Sequence, residues 1–407
     1  MTDSIDDSKK TVINNPGLSD PKPDENHPVV NTLRELIDLV SGRNLGDDET
    51  PQEDARLAEA LPFPFLGLVG QKEMKLALIL SLINPFIGGV LLIGPRGTGK
   101  TTAVRSLLDL LPDVERSACF YGCMPDDIEM GGMDAVCPDC AKKYGEGKSL
   151  TRTDRVRLSE LPLNARLEDV IGGIDERAVA HERFRLKHGI LAQADQNILF
   201  VDEVNLLADE IVDAILDASA QGLYTVRRGP LSATYKARFT LIGSMNPEEG
   251  NLRPQIMDRF GLRIFVRGLI DENQRLEAYR RVRAYQQSPH RVINQFATET
   301  SLVREEIQTA RRMLKQVQIP DKVAQFGIQL IKNLEIDSLR AELTLFESAR
   351  AYTVADNRYQ VELSDVKLVA PMSLRMRRSA FMSVYSIERN EEEQNLDKHI
   401  NLSSDLR

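Results

Sequence analysis

The 407-residue chain contains no tryptophan, few histidines and only four cysteines, and 5% of its residues are aromatic. No apolar run approaches the ~18–20 residues that a helix needs to cross a bilayer, so the sequence predicts no membrane span. The first ten residues, MTDSIDDSKK, lack the basic-then-apolar order of a secretory signal and carry acidic residues that transit peptides avoid. We therefore expect a cytoplasmic protein of a prokaryote-like cell.

The chain also lacks an excess of positive charge. It has 52 Lys and Arg residues against 61 Asp and Glu residues, which gives a formal net charge of −9. Domains dedicated to nucleic acids are usually strongly basic, so this balance argues against such a partner. Hydrophobic residues make up 42% of the chain, enough apolar material for a sizeable core.

Changes in composition along the chain indicate its organisation. Residues 1–60 are rich in acidic residues, Ser, Pro and Asn, which predicts a disordered acidic arm. Over 61–270, short apolar strands alternate with helical stretches, a pattern that favours an α/β fold with a parallel sheet covered by helices. Helical periodicity then dominates over 271–380 and predicts a smaller all-helical lid, followed by a polar tail at 381–407.

The segment Gly94–Thr101 reads GPRGTGKT and fits the G-x-x-x-x-G-K-[ST] pattern of a phosphate-binding loop. It follows a predicted strand, Val90–Ile93, and opens a helix predicted over about Lys100–Leu111. Glycines let backbone N–H groups converge on phosphate oxygens, and the helix N-terminus adds the positive end of its dipole. Lys100 would neutralise the β- and γ-phosphates of ATP, and Thr101 would bind Mg²⁺. The residues predicted to form this site are Gly94, Arg96, Gly97, Thr98, Gly99, Lys100, Thr101 and Thr102.

A second motif, ILFVDE, places two acids at the end of a predicted apolar strand, Ile198–Val201. Asp202 would hold the Mg²⁺ of Mg-ATP, and Glu203 would orient or deprotonate the attacking water. The pattern is weak alone, since many buried strands end in acids, but it becomes strong when paired with the phosphate-binding loop.

Together these motifs resemble the AAA+ ATPases and, within them, the ATPase (I) subunits of magnesium chelatase. The resemblance covers about residues 62–380, and its most specific stretch is NPEEGNLRPQIMDRFGL. It implies that Asn246 is sensor 1, which would position water against the γ-phosphate. It also implies that Arg259 is an arginine finger that reaches a neighbouring subunit's nucleotide. Arg340 resembles the sensor-2 arginine of the lid. The sequence does not indicate whether it would contact the nucleotide of its own subunit or that of a neighbour.

The resemblance further implies an assembly and a reaction. A finger that acts on a neighbour implies a homo-oligomeric ring, expected to be a hexamer, with the inserts at 167–194 and 223–238 facing its centre or its partners. The expected activity is ATP hydrolysis that drives Mg²⁺ insertion into protoporphyrin IX. The expected partners are an integrin-domain chelatase subunit and a large porphyrin-binding subunit.

Other functions share these motifs. A MoxR-type AAA+ chaperone, or a cobalt-chelatase ATPase subunit, would also work with an integrin-domain partner, although the NPEEGNLRPQIMDRFGL stretch favours magnesium chelatase. A nucleic-acid motor related to replicative helicases carries similar inserts, but the negative net charge and the absence of an evident basic–aromatic stripe count against it.

The four cysteines occur together in a predicted insertion, 117–150, where the sequence departs from the better-known family members. Cys119 and Cys123 are followed by Cys137 and Cys140, and the CPDC end has the spacing of a zinc knuckle. We therefore expect a structural Zn²⁺ site, since four protein ligands leave no open position for catalysis. Disulfides, which a reducing cytosol disfavours, and free or redox-regulated thiols are the alternatives.

Overall fold

The structure is a computed structural model that describes residues 61–111, 113–119, 121–174, 186–228, 231–250 and 252–378. The predicted N-terminal arm and C-terminal tail lie outside these residues. No helix in the described part of the chain is long and apolar enough to span a bilayer.

In the described residues, the strands fall into one parallel sheet and three antiparallel pairs. In chain order they are β1 (Val90–Ile93), β2 (Asp113–Ser117), β3 (Thr151–Arg155), β4 (Leu158–Leu161), β5 (Gly172–Ile174), β6 (Leu186–His188), β7 (Ile198–Val201), β8 (Leu223–Arg228), β9 (Leu231–Lys236), β10 (Thr240–Met245) and β11 (Leu262–Phe265). The five-stranded sheet has the order β11-β1-β10-β7-β4 with parallel neighbours. The pairs β2–β3, β5–β6 and β8–β9 are antiparallel.

The helices cover the sheet and dominate the C-terminal part. They are α1 (Lys72–Ile83), α2 (Lys100–Arg105), α3 (Pro125–Gly131), α4 (Pro138–Gly145), α5 (Leu167–Ile171), α6 (Ile190–Gln193), α7 (Asp209–Gln221), α8 (Pro254–Arg259), α9 (Glu272–Gln287), α10 (Pro289–Met313), α11 (Asp321–Asn333), α12 (Leu339–Ala355) and α13 (Leu363–Leu374). The α/β fold class predicted from the sequence is therefore confirmed, with helices only beyond residue 271 in the described part.

One predicted helix is shorter than expected. The helix that begins at Lys100 keeps α-helical geometry only to Arg105 and continues as a 3₁₀ turn over Ser106–Leu110. Leu111 then adopts an extended conformation, because the residue before a proline is disfavoured in the helical region and Pro112 follows it.

The central strands are buried on both faces, as parallel strands under helices must be. All residues of β1, β7 and β10 are buried. Alternate residues face two different clusters: Val90 packs in one cluster that includes Leu345 of the C-terminal helices, and Leu91 packs in the other with Ile215 of α7. Since the strands are parallel, the loops after β1, β7 and β10 emerge at the same edge of the sheet.

Candidate functional site

The phosphate-binding loop connects β1 to α2 and needs glycine for two different reasons. Gly97 and Gly99 have φ of 75° and 86°, a region that glycine adopts without steric cost. At Gly94, a Cβ would lie 2.0 Å from the carbonyl oxygen of Val266. Any side chain there would push the loop away from the residue that follows β11, so this glycine permits close backbone approach.

Lys100 is a buried cation that lines the pocket formed by this loop. Its ammonium donates hydrogen bonds to the carbonyl oxygens of Gly94 at 2.7 Å and Pro95 at 2.8 Å. Burial lowers the pKa of Lys100, and the carboxylates of Asp202, Glu203 and Glu249 act in the opposite direction. A cation held among carbonyls and carboxylates beside a glycine-rich loop is suited to bind phosphate.

Hydroxyl groups flank the Asp202 carboxylate on both sides. Thr101 Oγ1 donates to Asp202 Oδ2 at 3.1 Å, and Ser244 Oγ donates to Asp202 Oδ1. The backbone N–H of Glu203 in turn donates to Ser244 Oγ at 3.1 Å. Carboxylate and hydroxyl oxygens beside a phosphate site are the hard ligands that Mg²⁺ prefers, so these residues fit the cation of Mg-ATP.

Glu203 and Asn246 line the same cavity of ≈ 200 Å³. Glu203 has φ 51° and ψ 51°, a left-handed conformation that is uncommon for a residue other than glycine and that clusters at active sites. Asn246 is buried directly after β10, and its Oδ1 accepts a hydrogen bond from the Glu248 backbone at 3.3 Å. Arg96, Gly97, Thr98, Gly99, Lys100, Thr101, Thr102, Asp202 and Ser244 complete the lining.

Arg259 and Arg340 do not line this cavity. Arg259 ends α8 and pairs with Asp217 of α7, while Arg340, at the start of α12, has its Nη1 3.0 Å from Asp258 Oδ2. Asp258 precedes Arg259 in the chain, so the structure brings the two arginines to one region and not to the phosphate loop of their own chain.

The four cysteine thiols converge at a separate site. Their sulfur atoms all lie within 4.8 Å of one another, with Cys119 Sγ 3.7 Å from Cys123 Sγ and 3.5 Å from Cys137 Sγ. Zinc–sulfur bonds of about 2.3 Å in a tetrahedron place the sulfurs about 3.8 Å apart, so these separations fit Zn²⁺. They are far longer than the ~2 Å of a disulfide bond, and all four thiols are free.

The surroundings of the thiols shift their pKa values in opposite directions. Burial raises the pKa of Cys123 to about 11 and raises the pKa of Cys140 as well. At Cys119 the raising effect of burial is outweighed by hydrogen bonds, the first from the Tyr121 backbone, and its pKa is lowered. The backbone N–H groups of Tyr121 and Cys137 donate to Cys119 Sγ and Cys123 Sγ at 3.3 and 3.4 Å. Thiolates this close repel one another unless a metal neutralises them.

Comparisons with known proteins identify the family. The family model for the MCM P-loop domain matches residues 172–277, and that for the AAA lid domain matches 328–398. A magnesium-chelatase subunit ChlI homolog from Methanocaldococcus jannaschii is 41% identical over 323 residues, which cover 78% of this chain and 87% of the relative. The chain belongs to the ATPase subunit family of magnesium chelatase.

A second relative agrees with this family, and a solved structure agrees with the fold. The magnesium-chelatase 38 kDa subunit of Acidiphilium rubrum is 40% identical over 77% of this chain and 90% of its own length. A crystal structure of a protein from Cytophaga hutchinsonii matches with a TM-score of 0.51 and 21% identity, over 80% of this chain and 91% of that one, and shows the fold alone. The comparisons favour neither the MoxR-type chaperone nor the cobalt-chelatase subunit.

As a member of this AAA+ family the chain is an ATPase that uses ATP and Mg²⁺.

One residue that lines the pocket, Ser244, is not part of any motif found in the sequence. Ser244 contacts Asp202 through a hydroxyl, and the signal for it lies in strand pairing, because β10 neighbours β7 with Gly243 opposite Val201. A serine one position further along β10 therefore lies level with the acid that follows β7.

Proposed function

We propose that the chain is the ATP-hydrolysing motor subunit of a magnesium chelatase, in which hydrolysis drives Mg²⁺ insertion into protoporphyrin IX. The observation that carries the proposal is a single pocket that joins the phosphate loop, Asp202 and Asn246 in a chain 41% identical to a magnesium-chelatase subunit homolog. The residues that line the pocket suit phosphate binding, so this chain would perform the phosphoanhydride chemistry and leave porphyrin binding to a partner.

Each group in the pocket has a proposed task. Backbone N–H groups of Gly97–Lys100 and the Lys100 ammonium bind the phosphates, while Thr101 and Asp202 hold the cation. Bound Mg²⁺ would supply charge neutralisation on the phosphate oxygens. Glu203 accepts a proton from the attacking water, and Asn246 orients that water.

We propose that Arg259 and Arg340 serve a neighbouring subunit. Their pairing with Asp217 and Asp258, away from the pocket of their own chain, supports this direction. A guanidinium supplied by a neighbour stabilises the charge that develops on the transferred phosphoryl group. The proposed assembly is a homo-oligomeric ring, a hexamer, in the cytoplasm. It would work with an integrin-domain subunit and a large porphyrin-binding subunit.

The test is reconstitution with the other two chelatase subunits of the same organism, followed by Mg-protoporphyrin fluorescence. We expect ATP-dependent fluorescence that Lys100→Ala and Glu203→Gln abolish, because the first removes the phosphate cation and the second the base. Lys332→Ala and Glu210→Gln, which change exposed residues, are the matched controls and should behave as wild type. ATPase activity without porphyrin metallation would contradict the chelatase role and favour a MoxR-type chaperone.

We also propose that the four cysteines hold a structural Zn²⁺ ion. The separations and amide hydrogen bonds of the sulfur atoms support it, and a closed set of four ligands gives the metal no catalytic position. Protein purified under reducing conditions should contain about one zinc per chain by elemental analysis, and Cys140→Ser should lose it. Wild-type protein that stays metal-free after zinc addition would contradict the site.

A further inference from the structure

Arg96 extends from the phosphate loop between two carboxylates of other loops. Its Nε lies 2.5 Å from Glu249 Oε1, and its Nη2 lies 3.3 Å from Glu203 Oε1. The Arg96 side chain is 70% exposed, whereas the side chains of Glu203 and Glu249 are only 23% and 20% exposed. One guanidinium thus bridges two shielded carboxylates through different N–H groups, which its planar set of donors allows.

The charge of Glu249 acts on a residue of the nucleotide pocket, although Glu249 does not line that pocket. It ends the 3₁₀ turn Pro247–Glu249, which begins directly after Asn246. Its carboxylate acts on Lys100 together with Asp202 and Glu203, raising the pKa of that lysine against the effect of burial.

The second carboxylate oxygen of Glu249 lowers the stability of the folded state. Glu249 Oε2 is buried and has no hydrogen-bond partner among the described residues. A buried, unpaired polar atom destabilises the folded state, so folding stability alone does not account for a glutamate at this position.

The orientation of Glu203 depends on this bridge. Within the described part of the chain, Arg96 is the hydrogen-bond partner found for the Glu203 carboxylate. A long, exposed arginine samples many rotamers unless a partner fixes it, and Glu249 provides that partner. The contacts therefore run in series, from Glu249 to Arg96 and from Arg96 to Glu203.

We propose that Glu249 is a positioning residue for ATP hydrolysis, which fixes Arg96 so that Arg96 orients the Glu203 carboxylate. This rests on the proposed role of Glu203 as the base that activates water. Glu249 lies outside the pocket lining and acts on Lys100 as the last of the three carboxylates that raise its pKa. We therefore expect its replacement to affect the rate of the chemical step more than nucleotide binding.

Glu249→Gln tests this, since glutamine keeps the size and an acceptor oxygen but removes the charge. We expect kcat of ATP hydrolysis to fall about 10-fold, because a catalytic group displaced by ~1 Å can lose up to ~100-fold in rate. The KM for ATP and the affinity for a fluorescent ADP analogue should change less than about twofold. Glu248→Gln, the same change at the exposed neighbour in the turn, is the matched control and should keep wild-type kcat.

A double variant separates positioning from general destabilisation. In the Glu203→Gln background, Glu249→Gln should cause no further loss of residual rate, because residues that act through one another are not additive. An unchanged kcat in Glu249→Gln, a loss of ADP binding, or an undiminished effect in the double variant would each overturn the proposal. Wild-type turnover in Glu203→Gln would instead overturn the role of Glu203 itself, and this proposal with it.

Discussion

Asp258 is the carboxylate on which three arginines converge, and its replacement gives the sharpest stability prediction. Asp258 Oδ1 lies 2.8 Å from Arg377 Nη1 and 3.2 Å from Arg263 Nη2, and Oδ2 lies 3.0 Å from Arg340 Nη1. Burial, with a further contribution from Arg377, lowers the pKa of Arg263 to about 10. Burial likewise lowers the pKa of Arg377. Buried like charges therefore depend on one counter-ion.

The expected loss of stability in Asp258→Asn depends on which hydrogen bonds the arginines retain. Hydrogen bonds to charged groups contribute about 1.5–3 kcal/mol, and breaking a buried ion pair costs about 3–5 kcal/mol. Arg377 retains its bonds to the Phe260 and Gly261 carbonyls, and Arg263 retains its bond to Met376. Because Asp258 is itself 34% exposed, water screens part of the interaction. We therefore expect a loss of about 2–4 kcal/mol in the free energy of unfolding.

Urea denaturation followed by circular dichroism measures this loss. Asp217→Asn is the matched control, because Asp217 pairs with Arg259 at a partly exposed site where an ion pair contributes less than about 1 kcal/mol. Affinity for ADP should persist in both variants, since neither residue lines the pocket. Equal midpoints for the two variants would refute the reasoning that Asp258 neutralises the buried arginines.

Two further predictions concern other carboxylates. Asp127, between the second and third cysteines, accepts a hydrogen bond from Lys236 Nζ of β9 at 2.8 Å. Because Asp127→Asn weakens this contact, it should increase amide hydrogen exchange in the β8–β9 pair while the zinc content stays unchanged. Asp126→Asn, the same change at the exposed neighbouring residue, should leave hydrogen exchange as in wild type. Equal exchange in the two variants would contradict a stabilising role for the Asp127–Lys236 contact. At Asp365, burial raises the pKa but the Arg358 hydrogen bonds and others outweigh it, so the pKa is lowered. Its stabilisation is therefore complete above the unfolded pKa of ~3.9 and is lost as pH falls through the lower folded pKa. Asp365→Asn should weaken the acid dependence of Tm below about pH 4, and an unchanged dependence would contradict this.

Sequence reasoning succeeds where a structural requirement is local. The strands Val90–Ile93 and Ile198–Val201 have the predicted bounds, because a fully buried parallel strand is a continuous apolar run bounded by turn signals. The β2–β3 pair joins DVERS to TRTDR. These polar segments lack apolar alternation, so their pairing depends on the surrounding fold and leaves no local signal.

The same distinction holds in the nucleotide pocket. Lys100 and Asp202 belong to short motifs in which residue type and spacing specify the chemistry. Ser244 belongs to none, and Glu249 lies in the NPEEGNLRPQIMDRFGL stretch, which gives it no role of its own. Each acts on a residue more than 40 positions earlier in the chain. Their contacts exist only because β1, β7 and β10 end at one edge of the sheet. Residues that support a motif from another strand are thus the ones that sequence patterns miss.

The positions of the arginines have a consequence for how the proposed motor is controlled. One chain supplies the phosphate loop, the proposed Mg²⁺ ligands and the proposed base in a single pocket, so we expect each chain to bind nucleotide by itself. Arg259 and Arg340 instead share a region with Asp258, which also contacts Arg377 beyond α13. A movement of the C-terminal helices would therefore shift the groups proposed to complete a neighbour's site. In a ring built this way, each chain would bind ATP with its own residues, whereas ATP hydrolysis would require the interface between two chains.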